Sequence, residues 1–100
     1  PFNPKTVIRY DLPQDAFVKI TIFNMYGKII KTIINEKKSS GSKFIHWDAT
    51  NNQGKPVSSG VYLYRIKIDN FMQTKKMIFL KWIKFFYITV FEYQKNLNNN

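Results

Sequence analysis

The sequence predicts an all-β domain, an antiparallel sandwich or barrel built from six β segments. Three observations carry this. Apolar side chains recur at every second residue in one segment after another, no helical periodicity of useful length occurs, and turn-forming residues separate the segments at short intervals. One hundred residues is the size of one domain, and 44% hydrophobic with 17% aromatic content is ample for one core.

The elements follow in order. KTVIRYDL (Lys5 to Leu12) alternates, with Ile8, Tyr10 and Leu12 on one face and Val7 and Arg9 on the other. Pro13 ends this strand, because it has no N–H to offer a ladder. AFVKITIFN (Ala16 to Asn24) sets Val18, Ile20 and Ile22 against Lys19 and Thr21. A turn over Met25 to Lys28 follows, with Gly27 free to take positive φ. KIIKTII (Lys28 to Ile34) is apolar on both faces and predicts a more deeply buried strand, and NEKKSSGS (Asn35 to Ser42) predicts a polar loop.

KFIHWDA places Ile45 and Trp47 on one face and Phe44 and His46 on the other. A second polar loop, DATNNQGKPVSSG, is broken by Gly54, Pro56 and Gly60. It feeds a strand with Tyr62, Tyr64, Ile66 and Ile68 on one face and Arg65 and Lys67 on the other. Asp69-Asn70 predicts a tight hairpin into FMQTKKMIFLK, where Met77 and Phe79 alternate with Ile78 and Leu80.

The net charge of +10 raises nucleic acid or an anionic membrane surface as partners. Against this, the cations are nearly all lysines, Arg9 and Arg65 being the arginines, and they are scattered along the chain rather than gathered in a stripe. The Lys, Ile, Asn and Phe usage is what an AT-rich genome writes by default. Lysines on edge strands also discourage sheet-to-sheet association. Solubility therefore accounts for much of the basic excess, and no nucleic-acid partner is expected. Cysteine is absent, which removes disulfides, thiolate catalysis and cysteine-ligated zinc without fixing a compartment.

No catalytic constellation is visible, and neither enzyme activity nor a cofactor is expected. His46, the single histidine, reads as a surface residue with no metal site or triad around it. Asp48, Asn51 and Asn52 offer oxygens to calcium but lack the acidic spacing of an EF-hand loop, so a solvated turn is the expectation. Asp11 and Asp15 flank a turn and need no catalytic role. No Walker or dinucleotide glycine pattern occurs. Phe44, Trp47, Tyr62 and Tyr64 suit either a buried sheet face or a sugar-stacking platform, the latter implying an accessory module beside a hydrolase.

Several stretches, taken in order, carry a resemblance. PFNPKTVIRYDLP, VKITIFNMYGKIIKTI, HWDATNNQGKPVSSGVYLYRIK and QTKKMIFLK resemble the C-terminal sorting domain of type IX secretion cargo. The chain is similar also to the related Ig-like domain of the flagellar hook-capping protein. The resemblance spans Pro1 to Lys81. Its anchors include Asn3, Pro4, Gly27, Trp47, Asp48, Gly54, Pro56, Gly60, Val61 and Tyr62. Asn3-Pro4 suits an extended lead-in, Trp47 suits a core anchor, and Gly60 suits a sharp turn into the following strand.

The resemblance implies an Ig-like antiparallel β-sandwich of about seven strands that serves as an address without chemistry of its own. It implies a cargo domain upstream in the same chain, passage through the periplasm, and recognition by outer-membrane secretion machinery that leaves the protein secreted or on the cell surface. The part such a machine would read is the closing strand, Lys75, Lys76, Met77, Ile78, Phe79, Leu80 and Lys81. The alternative is an Ig-like module of a surface hydrolase that binds carbohydrate or acts as a spacer. A start at Pro1 without initiator methionine or signal peptide agrees with the distal end of a longer, processed protein.

The chain then divides into a sorting domain, residues 1–81, and an extension, residues 82–100. The extension departs from the family pattern, which ends near Lys81. Three readings stand open: an extra strand reaching to about residue 93 before an Asn-rich end, an aggregation-prone tail, or read-through past a lost stop codon. No transmembrane span is expected, because Met77 to Phe91 falls short of ~20 apolar residues and is interrupted by Lys81 and Lys84.

Overall fold

The computed structural model describes residues 6–79 in full and the backbone of Tyr87–Val90. Seven strands follow one another: β1 (Thr6–Leu12), β2 (Ala16–Asn24), β3 (Ile29–Lys38), β4 (Gly41–Trp47), β5 (Gly60–Ile68), β6 (Phe71–Phe79) and β7 (Tyr87–Val90). They form a three-stranded sheet in the order β4-β1-β7 and a four-stranded sheet in the order β3-β2-β5-β6. All ladders are antiparallel except β1 with β7, which is parallel and pairs Thr6 with Tyr87 through Arg9 with Val90. The extension thus supplies the edge strand beside β1.

The period-two pattern decides what lies between the sheets. Ile8, Tyr10 and Leu12 from β1 meet Val18, Ile20 and Ile22 from β2 and Tyr62, Tyr64, Ile66 and Ile68 from β5 in one cluster. Trp47 fills its centre at 1% exposure. Its ring lies edge-on to Tyr62 at 5.4 Å and 5.8 Å from Phe79. Aromatic pairs at these separations add to what area burial contributes. The Tyr64 hydroxyl is buried without a hydrogen-bond partner among the described residues, and burial pushes its pKa up to about 12.

Two elements differ from the sequence reading. β3 is not deeply buried: it is an edge strand, with Ile29 52% exposed and Ile30, Ile33 and Ile34 only partly buried against the core. The register explains its two-faced apolar pattern. It slips between Ile20 and Thr21 and again between Ile22 and Phe23, so Ile33 and Ile30 are extra residues at bulges. Each bulge shifts the alternation by one, which reads in sequence as apolar residues on both faces. The predicted loop over Asn35 to Ser42 shrinks to two residues, because β3 runs on to Lys38 and β4 begins at Gly41. Polar residues fit there because that end of an edge strand faces water on most sides.

Gly60 also departs from expectation. It is already in β5, paired with Phe79, and close to extended at φ 159°. It opens the strand rather than turning the chain sharply. The Asp69-Asn70 hairpin forms as read, with Ile68 paired to Phe71 and Asp69 at φ 51°. Asp69 also ties this tip to the start of β2: its N–H donates to the Phe17 carbonyl and its Oδ1 accepts from the Phe17 N–H, each at 3.0 Å.

Candidate interaction edges

The loop between β4 and β5 contains a copy of an earlier turn. Asn24-Met25-Tyr26-Gly27-Lys28 and Asn51-Asn52-Gln53-Gly54-Lys55 share the pattern Asn-x-x-Gly-Lys. In the first, Asn24 Oδ1 accepts from the N–H groups of Tyr26 and Lys28 at 2.9 and 3.0 Å. In the second, Asn51 Oδ1 accepts from those of Gln53 and Lys55 at the same two distances, 2.9 and 3.0 Å. Each asparagine N–H donates to the lysine carbonyl four residues on, and each glycine N–H donates to the asparagine carbonyl. Gly27 and Gly54 take φ 84° and 78°, a region that disfavours any side chain. A short amide side chain that bonds its own following backbone builds this turn wherever the chain reverses. The repeat is visible in the sequence and escaped the strand-by-strand reading.

The second copy is placed against the edge of β3. The Asn52 N–H donates to the Ile30 carbonyl at 2.9 Å, and the Thr32 N–H donates to Asn52 Oδ1 at 3.2 Å. Asn52 therefore stands in for a strand that β3 lacks. A latch holds the loop there. Lys31 Nζ donates to Thr50 Oγ1 at 2.7 Å and lies 3.5 Å from Asp48 Oδ1, which accepts from Thr50 Oγ1 at 2.6 Å. Trp47 Nε1 donates to the Thr50 carbonyl at 2.9 Å, so the core indole also anchors the latch. The Thr50 hydroxyl, aided by the Lys31 ammonium, holds the Asp48 carboxyl below its ordinary pKa although partial burial opposes this.

These bonds give the candidate ligand residues other work. Asp48 Oδ1, Asn51 Oδ1 and Asn52 Oδ1 serve the latch, the turn and the β3 edge in that order. Asp11 accepts from Ser42 Oγ at 2.8 Å and Asp15 from the Ser40 N–H at 2.9 Å, joining the two chain reversals at that end. His46 is exposed beside Phe44, ring centroids 5.6 Å apart. The sugar-stacking platform does not form: Trp47, Tyr62 and Tyr64 are core residues, and Phe44 points outward from the other side of its strand, 63% exposed. Alternation placed Phe44 opposite Trp47 from the start, so the four rings never shared a face.

The closing strand is different. β6 pairs with β5 without a register slip from Gly60–Phe79 to Ile68–Phe71, and no described residue pairs with its outer side. Of the residues named for recognition, Met77 and Phe79 are core, at 6% and 1% exposure, and their side chains are not available to a partner. Phe79 packs on Trp47 instead. Lys75, Lys76 and Ile78 are exposed, while Leu80 and Lys81 lie outside the described residues. Of the motif anchors, Asn3 and Pro4 also lie outside them, Pro56 bridges to Thr50, and the Tyr62 hydroxyl donates to the Ser58 carbonyl at 2.6 Å.

This layout of two sheets has a family. A model of the FlgD Ig-like domain matches residues 4–70. The chain belongs to the FlgD Ig-like domain family. Among solved structures, FlgD from P. aeruginosa is similar at a TM-score of 0.58 and 18% identity, over 75% of this chain. At that identity the likeness speaks for the fold, and this chain spans 58% of that one. No curated protein matches. The Ig-like sandwich expected from the sequence is the observed fold, and its link to the hook-capping Ig domain holds.

Proposed function

We propose that this FlgD-type Ig domain is a non-catalytic docking module whose partner adds a strand to β6. The observation that carries the reading is the contrast between edges: β3 is bulged and capped at Ile30 and Thr32 by Asn52, whereas β6 is regular over nine residues and has no strand on its outer side among the described residues. An unpaired edge offers main-chain donors and acceptors that an extended partner can use. In the sorting reading, the domain is the address of an exported protein, the partner is outer-membrane secretion machinery, and the destination is the cell surface or medium. The order of motif residues supports this reading.

The test fuses a reporter ahead of the whole chain in a host with that machinery. Met72→Lys with Ile78→Lys adds charge along β6 at positions 56% and 49% exposed, where folding tolerates it. Surface display should fall while circular dichroism stays unchanged. Undiminished display by the folded variant would reject the reading. The family match favours a second role, assembly of a flagellar hook cap. Loss of hook growth on deletion of the protein, with reporter export intact, would select it.

A further inference from the structure

Cations that are scattered in the sequence converge in space. The outward positions of the four-stranded sheet hold Lys19, Lys37, Arg65, Lys67 and Lys76, and no carboxylate. Glu36 sits opposite core-facing Val18, and Asp69 is at the hairpin tip bonded to the Phe17 N–H. The outer face of β1 and β4, by contrast, balances Arg9 against Asp11. Register created the asymmetry: these cations come from four separate segments of the chain, and pairing of β2, β3, β5 and β6 stacks their outward positions side by side.

At the centre the arrangement opposes folding. Lys19 is directly across from Lys67, and like charges at such positions are destabilising. Beside them is a cavity of about 300 Å³ lined by Lys19, Arg65 and Lys67 together with Phe23, Ile29 and Met72. Arg65 is already oriented. Its Nε donates to Thr74 Oγ1 at 3.0 Å and its guanidinium carbon lies 4.8 Å from the Phe23 ring centre. Its terminal nitrogens make no hydrogen bond among the described residues. A guanidinium held this way presents a fork suited to a phosphate. The same face exposes Phe17, Ile29, Met72 and Ile78 at 49%, 52%, 56% and 49%.

We propose that this face docks on an anionic lipid surface, with a phosphate headgroup seated between Lys19, Arg65 and Lys67. Interleaved cations and exposed apolar side chains select a lipid over other polyanions. Phe17, Ile29, Met72 and Ile78 enter the acyl boundary while lysine stems lie along it and their ammonium groups meet headgroups. Against nucleic acid Ile29, Met72 and Ile78 would stay wet, and the Phe23 ring is covered by Arg65 rather than open to a base. The site shares Met72 and Ile78 with β6 but makes no use of that strand's outer main-chain groups, and its charge variants Lys19→Glu and Lys67→Glu lie off that strand.

The experiment is sedimentation of the full chain with vesicles of phosphatidylcholine alone or with phosphatidylglycerol added. Binding is expected to the anionic vesicles and not to the neutral ones, falling as salt is raised. Lys19→Glu and Lys67→Glu should each weaken it roughly tenfold or more, and each creates an opposite-charge pair that favours folding. Arg9→Glu, on the other outer face, should leave it within about twofold. Equal loss with Arg9→Glu would mean net charge alone acts, and overturns the site. Displacement by millimolar inorganic phosphate, or tighter binding to a random-sequence oligonucleotide than to the anionic vesicles, would overturn the lipid assignment.

Discussion

The two edges of the four-stranded sheet, β3 and β6, are built from similar amounts of β-prone sequence and end in opposite states. β3 carries four isoleucines, two bulges and a loop whose Asn52 occupies two of its outer hydrogen-bonding groups, the Ile30 carbonyl and the Thr32 N–H. β6 has neither bulge nor cap among the described residues. Edge protection here is therefore not a matter of hydrophobicity. It comes from where an Asn-x-x-Gly-Lys turn falls, and the copy at Asn51 shields a strand that would otherwise be the stickier of the two.

Trp47→Ala should break the contrast most severely. It opens a cavity between the sheets and releases the Thr50 carbonyl, so a loss of about 3–5 kcal/mol is expected in denaturant unfolding. Gly54→Ala comes next, at about 1–2 kcal/mol. Nothing crowds a Cβ there, so the penalty is conformational, and Gly27→Ala should cost a similar amount. The difference is in the readout: Gly54→Ala should speed exchange of the Thr32 amide, and Gly27→Ala should not. Asn52→Ala is smaller, about 1 kcal/mol or less, with the same local signature.

Acid sharpens the comparison further. The Asp48 pKa is lowered in the folded state, so its contribution is present above the ordinary aspartate value and is lost as pH falls through the lowered one. Below roughly pH 4 the latch should loosen and Thr32 lose protection while β6 amides do not change. Lys19→Glu is the mildest change. It replaces a like-charge pair with an attractive one facing Lys67, and a gain of about 0.2–1 kcal/mol is expected.

The strands were legible because burial imposes a period of two, and β1, β2, β5 and the Asp69-Asn70 hairpin follow it closely. β3 was misread for a physical reason: a bulge inserts one residue, and Ile30 and Ile33 look like a second apolar face. The run Asn35 to Lys38 was misread because polar residues at a sheet edge mimic a loop. The basic face was illegible because spatial clustering of Lys19, Lys37, Lys67 and Lys76 depends on register, which local sequence does not specify. Recognition residues were assigned by position along the strand, and alternation sent Met77 and Phe79 into the core.

Amide hydrogen exchange on the intact chain, followed residue by residue, tests the difference between the edges most directly. Every second amide of β6, the set facing away from β5, should exchange orders of magnitude faster than its neighbours, with Thr32 on β3 protected. Uniformly slow exchange along Phe71–Phe79, or a fast Thr32, would contradict an open β6 and a closed β3.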